Sequence, residues 1–266
     1  MDNWPTSKKL VTKAYKIVLF LYYKGVRFLM RYIIKLDRLD PRGRLAFIHL
    51  AGEGIEIGAL HKPVSCDWRK VRVQYVDTKT IDELGNEYRE FNPADFMQVD
   101  RVDNGETLAT FSDESLGFVI NSHMIEHTED PISTLNNWIR VLRPGGIIYL
   151  IVPDMRYNFD HRRKPTDFAH LLRDHEESPE LSMEEHYLEW ADLVENCRPE
   201  HIRGRARQLQ EQQYRIHFHV WTPTTFLTFL MSCQAREPKF EIIHMEQNED
   251  EFIILIQKSK SDSSAG

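Results

Sequence analysis

Short apolar runs alternate with helical stretches along the chain from residue 53 onward. This alternation is typical of a doubly wound α/β fold, in which a parallel sheet lies between two layers of helices. Two further apolar runs near the end of the chain are separated by three residues and predict an antiparallel hairpin that closes the sheet. The predicted parallel strands are residues 54–60, 71–77, 95–100, 115–122 and 147–154, and the hairpin strands are residues 240–247 and 251–258.

The helix predicted between the last two parallel strands has clear boundaries. Asp130 suits the N-cap and Pro131 suits the first helical position. The sequence "RPGG" at 143–146 ends the helix. Apolar residues at helical spacing supply its buried face, namely Ile132, Leu135, Ile139 and Leu142.

The first 42 residues predict a basic amphipathic helix. Residues 1–36 carry eight Lys or Arg and one acid, and most of the basic residues recur at spacings that place them on one stripe of a helix. No uncharged run approaches the roughly 20 residues that span a bilayer. Two interpretations stay open. The helix either contacts a membrane surface through residues 8–36, or it packs against the protein body or a second subunit.

The charge distribution and the cysteine spacing limit the classes of function that fit the sequence. The remaining chain carries 26 of the 34 basic and 40 of the 41 acidic residues. This disfavours a nucleic-acid substrate, which requires a basic surface. Cys66, Cys197 and Cys233 form no C-x-x-C pair, so neither a disulfide framework nor a cysteine zinc site is expected. The pattern fits a reducing compartment, and we expect a cytoplasmic protein.

Polar residues near the ends of the first two predicted strands indicate a nucleotide-type crevice. Glu56 and Gly58 lie at the end of the first strand, and the second strand ends in Asp77, 19 residues after Gly58. Glycine allows a tight strand-to-helix turn, and a carboxylate at this distance in a β-α-β unit reaches ribose hydroxyls.

Four segments, "EIGALHKP", "YVD", "SHMIEH" and "LNNWIRVLRPGGIIYLIVPD", together resemble the class I S-adenosylmethionine-dependent methyltransferases. The resemblance covers residues 50–154 and the terminal hairpin. It is nearest to bacterial methyltransferase-domain proteins often found with glycosyltransferases, which continue with "PD.RY.FD..R..T". It implies a Rossmann-like core, S-adenosylmethionine as cofactor, and a small-molecule or saccharide acceptor methylated on oxygen or nitrogen.

The resemblance also implies which residues bind the cofactor. Asp77 would hold the ribose hydroxyls. Leu60 is a departure, because the family has a further glycine at this position. The methionine and ribose end would be lined by Glu56, Gly58 and Ala59, the adenine would contact Asp103 and Asn104, and Ser122 and His123 would flank the methionine.

The pattern His123-x-x-Glu126-His127 matches a zinc-peptidase signature. It follows a strand, however, so we predict that it lies in the crevice at the carboxyl ends of the strands. Similar methyltransferases that modify catechols or RNA ends carry Glu-x-x-Glu-His and bind a divalent ion. Because His123 replaces the first Glu, we expect no metal. If one bound to His123, Glu126 and His127, it would be Mn²⁺, Fe²⁺ or Zn²⁺ rather than Mg²⁺.

Residues 155–235 predict a helical insert that selects the acceptor. His217 and His219 alternate on an extended stretch, so both side chains are expected to face one side. A neutral histidine can take a proton from a hydroxyl or ammonium nucleophile. The predicted catalytic residues are therefore His127, His217 and His219. The predicted substrate-binding residues are Asp160, Arg163 and His170, although Asp160 and Arg163 could instead form a salt bridge.

The sequence thus predicts a methyltransferase with a core of residues 43–154 and 236–260 and a disordered tail at 261–266. Two other classes stay open. A non-catalytic scaffold subunit, recruited to a membrane surface, would keep the fold and bind the cofactor without turnover. A nicotinamide-dependent oxidoreductase is disfavoured by the terminal hairpin and by the lack of G-x-G-x-x-G.

Overall fold

The structure, a computed structural model, describes residues 24–25, 40–89 and 91–260. In this part of the chain, seven strands form one sheet in the order β3-β2-β1-β4-β5-β7-β6. The first five strands run parallel, and β7 is antiparallel to β5 and β6. The predicted fold class is therefore confirmed. The strands are β1 (Gly52–Ile57), β2 (Val71–Asp77), β3 (Arg101–Val102), β4 (Leu116–Ser122), β5 (Leu142–Pro153), β6 (Phe240–Asn248) and β7 (Glu251–Lys258).

Helices cover both faces of the sheet and build the insert. The α-helices of residues 40–89 and 91–260 are α1 (Pro41–His49), α2 (Ile81–Glu87), α3 (Pro131–Val141), α4 (Phe168–Glu176), α5 (Met183–Glu189), α6 (Ile202–Glu211) and α7 (Pro223–Arg236). Helix α1 is a finding of the structure, because its sequence carries only a boundary signal. The side chain of Asp40 caps it by accepting a hydrogen bond from Gly43 N, and Pro41 occupies the first turn.

Residues of the central strands are buried on both faces, as parallel strands under two helical layers must be. On β5, Ile148 and Leu150 pack into the cluster that contains Trp138 of α3. The intervening Tyr149 and Ile151 pack on the opposite face, in the cluster that includes α1. This alternation explains why the sequence of β5 is apolar almost without interruption.

The third predicted strand differs from the observed one. Residues 95–100 were expected to be extended, but Pro93–Asp95 form a 3-10 turn capped by Asn92, and the strand is the short pair Arg101–Val102. Asp100 uses its carboxylate to accept a hydrogen bond from Tyr75 N at 2.8 Å. Asp100 N also donates to Tyr75 O at 2.9 Å, so residue 100 contacts β2 through both backbone and side chain, and the regular ladder begins at Arg101.

Several predictions concern residues outside the described part. The disordered tail at 261–266 lies there, as does the basic N-terminal helix except for residues 24–25 and 40–42. Within the described ranges, no helix has both the length and the apolar character needed to cross a membrane.

The insert has a small core of its own. Tyr187, Trp190, Leu209 and Phe218 pack together, joined by Ala191, Ala206 and Ile216. The segment that carries Ile216 and Phe218 continues into the main core, where Trp221 packs with the residues of α7. The insert is therefore fixed to the sheet rather than attached by a linker.

An ion-pair network joins α1 to the sheet. Glu251, the first residue of β7, accepts two hydrogen bonds from Arg42, one of them 2.6 Å long from Nε. His123, just after β4, places Nε2 2.8 Å from the same carboxylate. Burial opposes ionisation of Glu251, but the hydrogen bonds from His123 and Arg42 outweigh it and lower its pKa to about 2.

We expect Glu251→Gln to lower the free energy of unfolding by about 2 kcal/mol at pH 7, because a partly buried guanidinium loses its counter-charge. The folded-state pKa of about 2 lies below the ordinary 4.5, so this stabilisation is complete above pH 4.5 and is lost as the pH falls towards 2. Urea unfolding from pH 7 to pH 3 measures it, with the exposed Glu241→Gln as control. A loss in Glu251→Gln that stays constant down to pH 3 contradicts the argument.

Candidate functional site

The crevice lies where the strand order reverses. Strand β1 pairs with β2 on one side and with β4 on the other. The chain therefore adds β2 and β3 on one side of β1, and then crosses over to add β4 and β5 on the other side. In an open α/β sheet, ligands bind outside the carboxyl ends of the strands at this point. Gly58, Asp77 and His123 follow or end β1, β2 and β4 and therefore surround it.

The turn after β1 has two residues with positive φ, Gly58 and Leu60. Gly58 has a φ of 66°, and a Cβ at this position would meet nothing within 4 Å, so the turn leaves space beside the backbone. Ala59 follows and is buried. Leu60 has a φ of 47°, in the left-handed region that glycine adopts most easily. Leu60, which departs from the glycine of the family, thus adopts a backbone conformation that suits glycine better than leucine.

Glu56 is fully buried in β1, and hydrogen bonds only partly compensate for the burial of its carboxylate. One carboxylate oxygen accepts a hydrogen bond from Val64 N at 2.9 Å, and the other has no partner among the described residues. Burial raises the pKa of Glu56 to about 7, against the hydrogen bond from Val64 and the charge of Arg42. An acid in this state favours a cationic ligand nearby.

The two acids that were predicted to hold the nucleoside differ in their surroundings. Asp77 ends β2, and its pKa is raised by burial in spite of backbone hydrogen bonds from Lys79 and Thr78. Asp103 is saturated by local bonds: it accepts from Thr110 N at 3.0 Å and Thr110 Oγ1 at 2.7 Å, and from Asn104 N. Asp103 therefore shapes the loop that presents the exposed Asn104.

The end of β4 carries both predicted methionine-flanking residues and one that sequence reasoning missed. Ser122 is half-buried, and His123 has a φ of 52°. Burial opposes protonation of His123, but Glu251 raises its pKa. Asn121, which was not predicted, is fully buried with both amide atoms unpartnered among the described residues. The sequence feature that could have identified Asn121 is a polar amide at the end of the apolar strand "LGFVIN".

An extended segment of the insert, residues 216–221, lies against the loops that follow the carboxyl ends of β4 and β5. His219 N donates to Glu126 O at 3.2 Å, and Met155 N donates to Trp221 O at 3.0 Å. The segment therefore lies between the loops that follow β4 and β5. Its histidines meet residues of both loops.

Glu126, His127 and His217 converge at this place, with one ligand atom of each within 4.8 Å of the others. His127 donates its Nδ1 proton to Ile216 O at 2.8 Å, which leaves Nε2 unprotonated in the neutral ring. Burial lowers the pKa of His127 and favours that neutral form. Both carboxylate oxygens of Glu126 are buried without a partner in the described structure.

His217 is oriented by Asp160, whose Oδ2 lies 2.6 Å from His217 Nδ1. The ring thus donates through Nδ1 and keeps the lone pair of Nε2. Arg163 bonds the other oxygen of Asp160 at 3.0 Å and also the carbonyl of His217 at 2.7 Å. The Asp160–Arg163 salt bridge considered from the sequence is therefore present.

The predicted residues do not form a single site. His170 and His219 belong to a second cluster that also contains His186. His217 and His219 were expected to face one side; both are buried, and they belong to different clusters. The metal set considered from the sequence also changes: His123 faces Glu251, and the third group beside Glu126 and His127 is His217.

Comparison with known proteins identifies one family and several similar structures. Residues 56–150 match the family model of the methyltransferase domain. Among solved structures, the chain is similar to an S-adenosylmethionine-dependent methyltransferase from Methanosarcina mazei at 18% identity, with a TM-score of 0.47 and 84% of this chain and 99% of that chain covered. For one from Aquifex aeolicus the values are 13%, 0.42, 84% and 97%. No curated protein sequence matches the chain.

The strand order gives the described chain a Rossmann-like fold, and residues 56–150 within it match the methyltransferase domain. Over these residues the match confirms the resemblance to the class I S-adenosylmethionine-dependent methyltransferases.

Glu56→Gln tests the buried acid. Because the folded-state pKa of about 7 exceeds the ordinary 4.5, the carboxyl costs nothing below pH 4.5 and destabilises the fold increasingly up to pH 7. We expect the stability of Glu56→Gln relative to wild type to rise by roughly 3 kcal/mol between pH 4.5 and pH 8.

Urea unfolding across this pH range measures the change, with the exposed Glu53→Gln of the same strand as control. The readout is how the stability difference between Glu56→Gln and wild type changes with pH, because a new buried amide changes the stability by the same amount at every pH. A flat difference between Glu56→Gln and wild type shows that Glu56 is ionised without cost.

Proposed function

We propose that the protein transfers a methyl group from S-adenosylmethionine to an oxygen or nitrogen atom of a small molecule or saccharide. The observation that carries this proposal is the buried Asp160–His217 pair, with His217 close to Glu126 and His127 beside the carboxyl end of β4. The saccharide class rests only on the resemblance to proteins found with glycosyltransferases.

The crevice suits the cofactor. Gly58 leaves open space, Leu60 keeps the turn, and Asp77 offers a carboxylate at the end of β2. S-adenosylmethionine, when bound, supplies an electrophilic methyl group on a positively charged sulfur. In this proposal, Glu56, Gly58 and Ala59 line its methionine and ribose end, Asp77 binds the ribose hydroxyls, Asp103 and Asn104 lie at the adenine, and Ser122 and His123 flank the methionine.

His217 is the general base of this proposal. Its Nε2 takes the proton of the acceptor hydroxyl or ammonium as the acceptor atom bonds to the methyl carbon, and the pair of electrons of the broken C–S bond stays on sulfur. Asp160 holds the required tautomer and stabilises the imidazolium that forms. His219 suits this role less well, because its ring lies against His170 and His186.

In this proposal, the three predicted substrate-binding residues have different roles. Asp160 acts through His217 and is a positioning residue. The guanidinium of Arg163 is 1% exposed and bonds Asp160, Glu189 and two carbonyls. It therefore supports, from inside the protein, the residues that are proposed to contact the acceptor. His170, about a fifth exposed, lies in the second cluster.

A second candidate role for the same cluster is divalent-ion binding. The free Nε2 atoms of His127 and His217 and the unpartnered Glu126 carboxylate make a two-histidine, one-carboxylate set. Both Nδ1 atoms donate to fixed oxygens, the usual arrangement behind metal-binding histidines. Such an ion would polarise an acceptor hydroxyl and would favour oxygen as the methylated atom.

Calorimetric titration with S-adenosylmethionine and its demethylated product tests the crevice. We expect micromolar binding by the wild type and a loss of at least about tenfold in Asp77→Ala, because ribose hydroxyls lose charge-assisted hydrogen bonds. Asp95→Ala removes an exposed aspartate and should bind as the wild type does. A folded wild-type protein that binds neither compound contradicts the assignment.

Turnover separates the proposal from its alternatives. Asp160→Asn should keep cofactor affinity and lower kcat by about 10²–10⁴, because the amide no longer fixes the tautomer of His217. The rate is followed as demethylated cofactor formed with acceptors found by screening sugars, hydroxylated molecules and amines. Activity lost with EDTA and restored by Mn²⁺ favours the metal role of Glu126, His127 and His217. Cofactor binding without turnover on any acceptor supports the scaffold alternative.

A further inference from the structure

Three histidines of the insert meet in a second cluster, which the proposed methyl transfer does not use. His170 comes from α4, His186 from α5, and His219 from the extended segment 216–221. Their ring centroids lie 5.0–5.6 Å apart in each pair, and one ring nitrogen of each lies within 4.8 Å of the others. We propose that His170, His186 and His219, together with Asp174, bind a structural zinc ion.

The distances fit tetrahedral coordination. Zinc binds imidazole nitrogen and carboxylate oxygen at about 2.0–2.2 Å, so two ligands of a tetrahedron lie about 3.3–3.5 Å apart. His170 Nε2 lies 3.2 Å from His186 Nε2 and 3.1 Å from Asp174 Oδ2. His170 and Asp174 are four residues apart on α4, which places both side chains on one face of the helix.

His219 supplies the independent observation. Its ring is fully buried, and its Nδ1 has no hydrogen-bond partner in the described structure, whereas its Nε2 lies 3.4 Å from Glu129 O. A buried ring nitrogen without a partner is costly unless a ligand completes it. Nδ1 of His219 is therefore the third nitrogen ligand, and Nε2 donates to the carbonyl of Glu129, as metal-bound histidines commonly do.

Asp174 is the proposed fourth ligand. Its side chain is 1% exposed and lies beside His170, but it is not one of the three residues whose ligand atoms all lie within 4.8 Å of one another, so its carboxylate must move towards the three nitrogens to bind the ion. With four protein ligands the ion would keep no open position, which is the feature that separates structural from catalytic zinc. The ion would join α4 and α5 to segment 216–221. That segment also carries His217, so the zinc would hold the base of the proposed reaction in place.

Arg173 competes with this arrangement. Its Nη2 lies 2.9 Å from His170 Nδ1 and can only donate, so the His170 proton then resides on Nε2. Zinc binding to Nε2 displaces that proton, places one on Nδ1 and moves the exposed Arg173 side chain into solvent. A zinc site therefore tolerates Arg173→Ala, whereas a cluster held only by hydrogen bonds is weakened by it.

Metal analysis of the purified full-length protein tests the proposal without reference to methyl transfer. We expect about one zinc per chain by mass spectrometry of the metal, visible d–d absorption of tetrahedral Co²⁺ after substitution, and a rise in Tm of at least about 5 °C on adding zinc to stripped protein. Zinc should be lost in His186→Gln and His219→Gln. It should be kept in Arg173→Ala and in His201→Ala, which removes an exposed histidine of the same insert.

Two results would overturn the proposal. The first is stripped wild-type protein that neither binds zinc nor gains Tm from it, which needs no variant to fold. The second is zinc that persists in His186→Gln and His219→Gln but disappears in Glu126→Gln, because the ion then belongs to the Glu126–His127–His217 cluster. Neither result affects the titration with S-adenosylmethionine, so the proposed function stands or falls separately.

Discussion

The arrangement of the insert depends on one buried cation, the guanidinium of Arg163. An isolated charge at 1% exposure is strongly unfavourable, so the surrounding chain must supply acceptors for it. Asp160, Glu189 and the carbonyls of His217 and Phe218 do so. These acceptors come from three separate stretches of chain. Satisfying one cation therefore fixes the end of α5, the loop after β5 and the extended segment relative to one another.

This constraint reaches the reacting side chains through Asp160. One carboxylate oxygen accepts from Arg163 and the other from His217, so the carboxylate cannot turn without breaking a buried charged hydrogen bond. The hydrogen bond to that carboxylate therefore sets the orientation of the His217 ring. The proposed methyl transfer requires in-line alignment of acceptor and methyl carbon, so a fixed base would be worth more to it than a mobile one.

The sequence predicted the core well because the information there is local. Strand periodicity, the glycine turn and the acid at the end of β2 each involve neighbouring residues, and their order along the chain defines the sheet. The insert was less predictable, because its partners are distant: Asp160 and His217 are 57 residues apart. The exception was the Asp160–Arg163 pair, whose spacing of three residues allowed a salt bridge to be considered.

Other differences arose where tertiary contacts overrode local preference. Helix α1 was missed because a nine-residue helix behind an Asp-Pro boundary has little periodic signal of its own. The third strand shifted because Pro93–Asp95 form a capped turn, which leaves Arg101–Val102 as the part that pairs with β2. At Leu60, a residue that disfavours positive φ adopts it. Such strain persists only where the surrounding structure enforces it, and it occurs here at the turn that the cofactor is expected to approach.

The extended segment 216–221 links the two histidine clusters mechanically. Thr166 and Val220 exchange hydrogen bonds, His219 N bonds the loop after β4, and Trp221 O bonds the loop after β5. Side chains two residues apart therefore cannot move independently: a shift of His219 would carry His217 with it and disturb the Asp160 contact. A ligand that orders the His219 cluster thus also orders the base, without touching the acceptor. Glu126 is buried beside this segment and His217 within it, and in the proposed reaction a buried, fixed environment would strengthen the electrostatic interactions with a cationic methyl donor.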